Sequence, residues 1–190
     1  MKIKTGTLLS LDASTKEIGY CLWGKNKKEL LDMSHFTHNE EHSLIEKGVA
    51  FENLISSIIS EYPYLNEMVI EEPFQAMYGK SSSAHTTAVL NQVNAIYQYI
   101  CFKAGLEVST ITVSQSRKGC FPGVKIRSLA KSVGKKEKEV CFELVRKILG
   151  DDMFPTKVLK SGKRKGLKVF EDFAGDMSDS YIVGKGFMNG

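Results

Sequence analysis

Thr7-Leu8-Leu9-Ser10-Leu11-Asp12 and Ile18-Gly19-Tyr20-Cys21-Leu22-Trp23, separated by Ser14-Thr15-Lys16-Glu17, set the architecture of this chain. The first is a short apolar run that ends in a carboxylate and reads as a buried strand. The second reads as its neighbour, with the four intervening residues as the turn. Leu30 to Phe36 supplies a third strand, so the N-terminal third forms an antiparallel meander.

The pattern then changes. Val49, Leu54, Ile55, Ile58 and Ile59 recur at helical spacing between Glu46 and Tyr62, and Pro63 stops that helix. Met68-Val69-Ile70-Glu71-Glu72 is a fourth strand, ended by Pro73. The Tyr78–Ser83 stretch is a Ser/Gly loop without the spacing of a phosphate-binding loop. A helix over 84–103 follows, with Gly105 as its cap, and Glu107 to Val113 is a fifth strand. A basic helical region from Lys125 leads to an amphipathic helix over 136–149. Residues 151–170 form a basic loop or hairpin, and a last helix runs over about 171–183. Three antiparallel strands, then strands alternating with helices, describe an α/β fold: a mixed five-stranded sheet flanked by helices. With 190 residues, no internal repeat and no linker-like stretch, the chain reads as one domain over 1–190.

Composition narrows the function. Hydrophobic residues make up 42% and charged residues 25%, a globular balance. No apolar run is long enough for a membrane helix, and the start shows no secretory signal. Cys21, Cys101, Cys120 and Cys141 are scattered without a C-x-x-C, which argues against a zinc site or a disulfide frame. The expectation is a reduced, cytoplasmic protein. The net charge of +4 hides an asymmetry. Arg117 to Lys168 holds 16 Lys and Arg against five acids, so that segment carries +11 and the remainder −7. Such a block suits a polyanionic partner.

Buried strands tolerate acids poorly unless the charge is paired. Asp12 closes the first strand, Glu71 and Glu72 close the fourth, and Asp176 and Asp179 lie three apart on the last helix. If the first and fourth strands are neighbours and the last helix crosses them, these carboxylates converge. A cation must then offset their repulsion, and hard divalent ions suit oxygen ligands. Two such ions support phosphodiester cleavage. Adjacent strand residues point to opposite faces, so only one of Glu71 and Glu72 faces Asp12; periodicity leaves that choice open.

Leu9-Ser10-Leu11-Asp12 through Ile18-Gly19-Tyr20, then Val69-Ile70-Glu71-Glu72-Pro73-Phe74, then Asp176-Met177-Ser178-Asp179-Ser180 resemble, in order, the RuvC-type Holliday junction resolvases of the ribonuclease H-like superfamily. Val133 to Val140, ahead of the amphipathic helix, is similar too. The resemblance implies a ribonuclease H-like fold and a homodimer that nicks four-way junction DNA symmetrically. It implies Mg²⁺, replaceable by Mn²⁺, on Asp12, Glu71, Asp176 and Asp179, and it favours Glu71 over Glu72. It further implies that Phe74 stacks at the junction and that Lys135, Lys136 and Lys138 contact DNA. Asp12 would bridge two ions, with Glu71 and Asp179 on one and Asp176 on the other. The chain departs from the bacterial pattern in having Ala13-Ser14 after the first aspartate, and in a longer, more basic 151–168 segment, as in a divergent phage-encoded member. These departures bear on sequence preference and on tolerance of Y-junctions and flaps.

Three other readings compete. A ribonuclease H-like nuclease for RNA–DNA hybrids or flaps would use the same carboxylates. A non-catalytic branched-DNA binding module would need no metal. A fragment of the sugar-kinase and actin-like class would need a second lobe, for which 190 residues are too few. The spacing of His35, His38 and His42 reads as surface rather than as a metal site, and Gly184-x-Gly186 does not open a helix after a strand as a dinucleotide fingerprint does.

Overall fold

The structure, a computed structural model, describes residues 6–24, 29–73 and 84–190. Its main sheet has the order β3-β2-β1-β4-β5, with β1 (Gly6–Ala13), β2 (Glu17–Gly24), β3 (Leu30–Thr37), β4 (Glu67–Glu71) and β5 (Glu107–Ile111). β1, β2 and β3 pair antiparallel, while β4 lies parallel to β1 and β5 parallel to β4.

Alternation along the strands sorts side chains into two cores. Leu9, Leu11, Ile18, Leu22, Met68 and Ile70 face α1 (Leu44–Glu61) and α2 (Ala84–Lys103), which contribute Phe51, Ile55, Val93 and Tyr97. Leu8, Cys21, Trp23 and Val69 face the opposite layer. There α3 (Val113–Cys120), α5 (Glu137–Leu149) and α6 (Ala174–Asn189) supply Cys120, Val145, Tyr181 and Val183. A short helix α4 (Ile126–Ser132) precedes α5. All four cysteines are buried and free. Among the described residues, no helix is long and apolar enough to cross a membrane.

Three elements differ from expectation, each for a local reason. The first helix starts at Leu44 because Ser43 caps it. The Ser43 hydroxyl accepts from the Glu46 N–H at 3.3 Å, and the Glu46 carboxylate accepts from the Ser43 N–H at 2.7 Å. Val49, placed on its apolar face by spacing, is 54% exposed. The fifth strand stops at Ile111 because Thr112 and Gln115 form the same reciprocal cap and start α3, a helix the strand reading missed. The last helix begins at Ala174 and runs to Asn189, since Gly184 and Gly186 are packing contacts inside it. Residues 151–170 contain a 3-10 turn (Asp151–Met153) and a separate antiparallel hairpin, β6 (Thr156–Val158) with β7 (Lys168–Phe170).

α6 has no clean apolar stripe because most of its circumference is covered. Glycines set its distance from the sheet. A Cβ on Gly184 would stand 2.3 Å from Trp23 Nε1 and 2.5 Å from Ser10 Oγ. A Cβ on Gly186 would stand 2.3 Å from the Ser116 carbonyl oxygen of α3. The close approach permits a buried polar chain. Trp23 Nε1–H donates to Ser10 Oγ at 2.9 Å, and Ser10 Oγ–H donates to the Ser180 carbonyl at 2.9 Å. Each such buried bond contributes about 1 kcal/mol net, and leaving one partner unpaired costs about 1–3 kcal/mol.

Candidate metal centre

The centre forms where β1 and β4 end side by side. Parallel pairing runs from Leu8–Glu67 to Leu11–Ile70, so the next residues, Asp12 and Glu71, still paired to β2 and β5, stand side by side at the same end of the sheet. Glu71 continues the alternation of Val69, whose side chain lies in the α6 core, and therefore shares that face. Glu72 lies beyond the strand, where its Oε1 accepts from Thr110 Oγ1 at 2.8 Å.

α6 delivers the other acids through a residue with no side chain. Asp12 pairs with Gly19 on β2, and a Cβ on Gly19 would stand 2.0 Å from the carbonyl oxygen of Asp176. The helix backbone rests directly on β2 opposite Asp12. His35, which pairs with Gly19 from β3, stacks on Phe173 at the foot of α6 with centroids 3.4 Å apart. Asp12, Asp176 and Asp179 thereby bring carboxylate oxygens within 4.8 Å of one another. They are the one cluster of three or more acidic, histidine or cysteine ligands among the described residues.

The electrostatics follow from this crowding. Burial, then the charges of Asp179 and Glu71, push the Asp12 carboxyl well above its ordinary pKa. Burial and Asp179 push Glu71 up to about 7, with Arg117 and Lys138 opposing the rise. Burial likewise raises Asp179, again against Lys138. Lys138, at the start of α5, reaches in. Its Nζ is 2.9 Å from Asp179 Oδ2 and 3.5 Å from Asp176 Oδ1. Desolvation works against that ammonium, but Asp179, Asp12 and Asp176 outweigh it and hold its pKa above the ordinary lysine value.

The donors fit a hard cation. Octahedral Mg²⁺ sets its ligand oxygens about 3 to 4 Å apart, so three oxygens within 4.8 Å need to contract by only about 1 Å. The ammonium of Lys138 already occupies the position of a positive charge among them.

Other expected residues fall elsewhere. Of the three lysines, Lys138 alone meets the acids. Lys135 pairs with Glu143 of α5, and the Lys136 N–H donates to the Glu139 carboxylate at 2.8 Å. Phe74 lies outside the described residues. The three histidines part ways: His35 stacks on Phe173, His38 bonds the Tyr97 hydroxyl, and the His42 N–H donates to the Asn39 carbonyl at 3.1 Å. Arg117 was not singled out by pattern. It sits on the missed helix α3, bonds Glu137 at 2.6 Å and acts on both Glu71 and Asp179. The Thr112-x-x-Gln115 cap was the signal that could have placed it on a helix facing the site.

No protein-family model matches the sequence, and no curated protein does. The similarity is one of fold. Thermus thermophilus RuvC in complex with a Holliday junction substrate matches with a TM-score of 0.60 at 13% identity, over 94% of this chain and 90% of that one. A second Thermus thermophilus RuvC structure gives 0.56 at 14% identity, over 94% and 91%. The yeast mitochondrial Holliday junction resolvase Ydc2 gives 0.55 at 14% identity, over 99% and 80%. The chain shares its fold, a ribonuclease H-like mixed five-stranded sheet flanked by helices, with these structures.

Proposed function

We propose that this chain is a divalent-cation-dependent, structure-specific DNA endonuclease that resolves four-way junctions by paired symmetric nicks. The observation that carries the reading is the meeting of Asp12, Asp176 and Asp179 within 4.8 Å, beside Glu71, in a fold matched along nearly its whole length by junction resolvases. Asp12, Glu71, Asp176 and Asp179 would hold Mg²⁺, with Mn²⁺ as a substitute. Such ions, when bound, activate the attacking water and stabilise the departing 3′ oxygen, which leaves 5′-phosphate and 3′-hydroxyl ends.

The chain's own residues do the rest. Lys138 and Arg117 bring positive charge to the edge of the carboxylates, where a scissile phosphate has to approach. The basic 117–168 segment holds the phosphate backbones, with Lys135 and Lys136 beside Lys138 at the start of α5 and Phe74 stacking at the branch point. Two symmetric cuts call for a two-fold homodimer. Val93, Tyr97 and Ile100 on α2 are buried in the core and are not open to that contact. Ile45 on α1 and Tyr99 and Phe102 on α2, exposed by 78%, 64% and 71%, are better suited to it. One nuclease domain over 1–190 acting in the cytoplasm of a bacterial or phage-infected cell completes the reading.

The test is a labelled synthetic four-way junction incubated with Mg²⁺, with Mn²⁺ and with chelator. Duplex, Y-junction and RNA–DNA hybrid controls and an Asp12→Asn variant run alongside. Paired nicks that need metal and vanish in the variant are expected. Tight junction binding without cleavage in either metal overturns the enzyme; preference for the hybrid or the Y-form overturns the substrate.

A further inference from the structure

The hairpin β6–β7 and its connecting loop run from Thr156 to Phe170 and carry six bases, Lys157, Lys160, Lys163, Arg164, Lys165 and Lys168, and no acid. Its base is stiff. Phe154 and Phe170 pack edge-on against Phe142 of α5, with centroids 5.2 and 5.3 Å away. The Arg146 guanidinium lies 4.3 Å above the Phe170 ring and grips Asp151 through two bonds of 3.0 and 2.6 Å. Lys157 is tied to Glu171 at 3.2 Å and to Asp172 at 2.6 Å.

The far end is different. Backbone bonds between Leu159 and residues 166 and 167 extend the pairing, roughly 10 Å beyond Thr156. Within the loop that these bonds close, Gly162 and Gly166 take positive φ of 77° and 86°, which lets it turn tightly. Lys160, Lys163, Arg164, Lys165 and Lys168 are exposed, and none is in a salt bridge among the described residues. A cleft of about 670 Å³ separates the hairpin from the end of α5, and Arg164 and Lys168 line it from the hairpin side. Four residues after β7, α6 begins with the carboxylates of the candidate centre in its first turns.

We propose that this hairpin is a second contact surface for duplex DNA, a braced arm that grips the phosphate backbone of a junction arm outside the carboxylate centre. The inference rests on the nuclease reading above. Uncompensated like charges at the tip of a structured ribbon repel one another, and a polyanion relieves that repulsion by releasing its counterions on contact. Anchoring at the base means that little ordering has to occur on binding. A surface meant only for solubility would need neither the aromatic brace nor the ties of Lys157.

The full chain and a Lys160→Ala/Lys163→Ala/Arg164→Ala/Lys165→Ala variant are compared for binding to four-way junctions with long and short arms, in chelator, across a salt series. Thermal unfolding checks that the hairpin substitutions leave the fold intact. The wild type is expected to bind the long-armed junction on the order of 10-fold or more tightly than the variant. Its log K against log salt slope should be steeper by about 2 to 4, near 0.9 per lost phosphate contact. Shortening the arms should weaken the wild type more than the variant. Equal affinities and slopes on a junction that the wild type does bind overturn the hairpin's role and leave the nuclease reading standing. Failure of the wild type to bind or cut any branched DNA overturns both. Sedimentation of the wild type, but not the variant, with vesicles rich in phosphatidylserine, together with equal junction binding, assigns the arm to a membrane and overturns the proposal.

Discussion

Gly19→Ala is the most direct perturbation of the candidate centre, because it adds one methyl group where the structure has no room for any. An alanine Cβ would lie 2.0 Å from the Asp176 carbonyl oxygen, 2.3 Å from its carbon and 2.8 Å from the Met177 nitrogen. Side-chain Cβ atoms essentially never approach closer than 3.0 Å, so the shortfall is about 1 Å. Both partners are backbone, one in a strand and one in a helix, and no flexible side chain can yield. Overpacking of this kind costs about 1–3 kcal/mol, and the rigid contact places Gly19→Ala near the upper end. The displaced segment carries Asp176 and Asp179 away from Asp12. A shift of about 1 Å in a catalytic group costs on the order of 100-fold in rate. Urea unfolding gives the stability and junction cleavage under saturating Mg²⁺ gives the rate. Gly175→Ala is the control, since a Cβ there meets nothing within 4 Å and alanine favours the helix. A Gly19→Ala protein within about 0.5 kcal/mol of wild type, cleaving at the wild-type rate, would falsify the claim that α6 is seated on β2 through this glycine.

Three further predictions follow from the same geometry. Glu71 is raised to about 7 from 4.5, so the folded chain holds this proton more tightly than the unfolded one. Its contribution to stability is complete below pH 4.5 and lost as pH rises through 7. In chelator, Glu71→Gln should therefore gain on wild type by up to about 3 kcal/mol over that window, and a constant difference between the two refutes the raised pKa. Lys138→Ala removes the positive charge beside Asp176 and Asp179. Calorimetric titration should show tighter Mg²⁺ binding while cleavage slows by about 10-fold or more; weaker Mg²⁺ binding contradicts the competition between ammonium and metal. His38, buried against Tyr97, is held down to about 4 from 6.5 by burial first and then by Lys47. Stability from keeping it neutral is present above pH 6.5 and lost as pH falls toward 4, and a histidine NMR titration showing His38 protonated at pH 6 counts against its burial.

The place of each main-sheet strand along the chain was legible because each carries its own signature. Apolar alternation, the turn at Ser14–Glu17 and the stop at Pro63 are local, and local physics decides them. The acids at the ends of β1 and β4 and on α6 stood out for a similar reason, since an acid beside a buried run is conspicuous anywhere. The caps Ser43-x-x-Glu46 and Thr112-x-x-Gln115 were local too, and reading the second would have revealed α3.

What tertiary structure alone decided is everything that depends on two distant segments touching. Periodicity left Glu71 and Glu72 equivalent, with only a resemblance favouring Glu71, because a parity is defined only once a helix covers one face of the sheet. Gly19 reads simply as a strand residue and Gly184 and Gly186 lie past the expected end of the last helix, yet all three act as the contacts that let α6 approach β1, β2 and α3. Lys138 and Lys135 stand three residues apart in one basic run, yet the first meets Asp179 and the second meets Glu143. Charge and hydrophobicity are properties of residues and survive in the sequence; proximity is a property of the packed chain and does not.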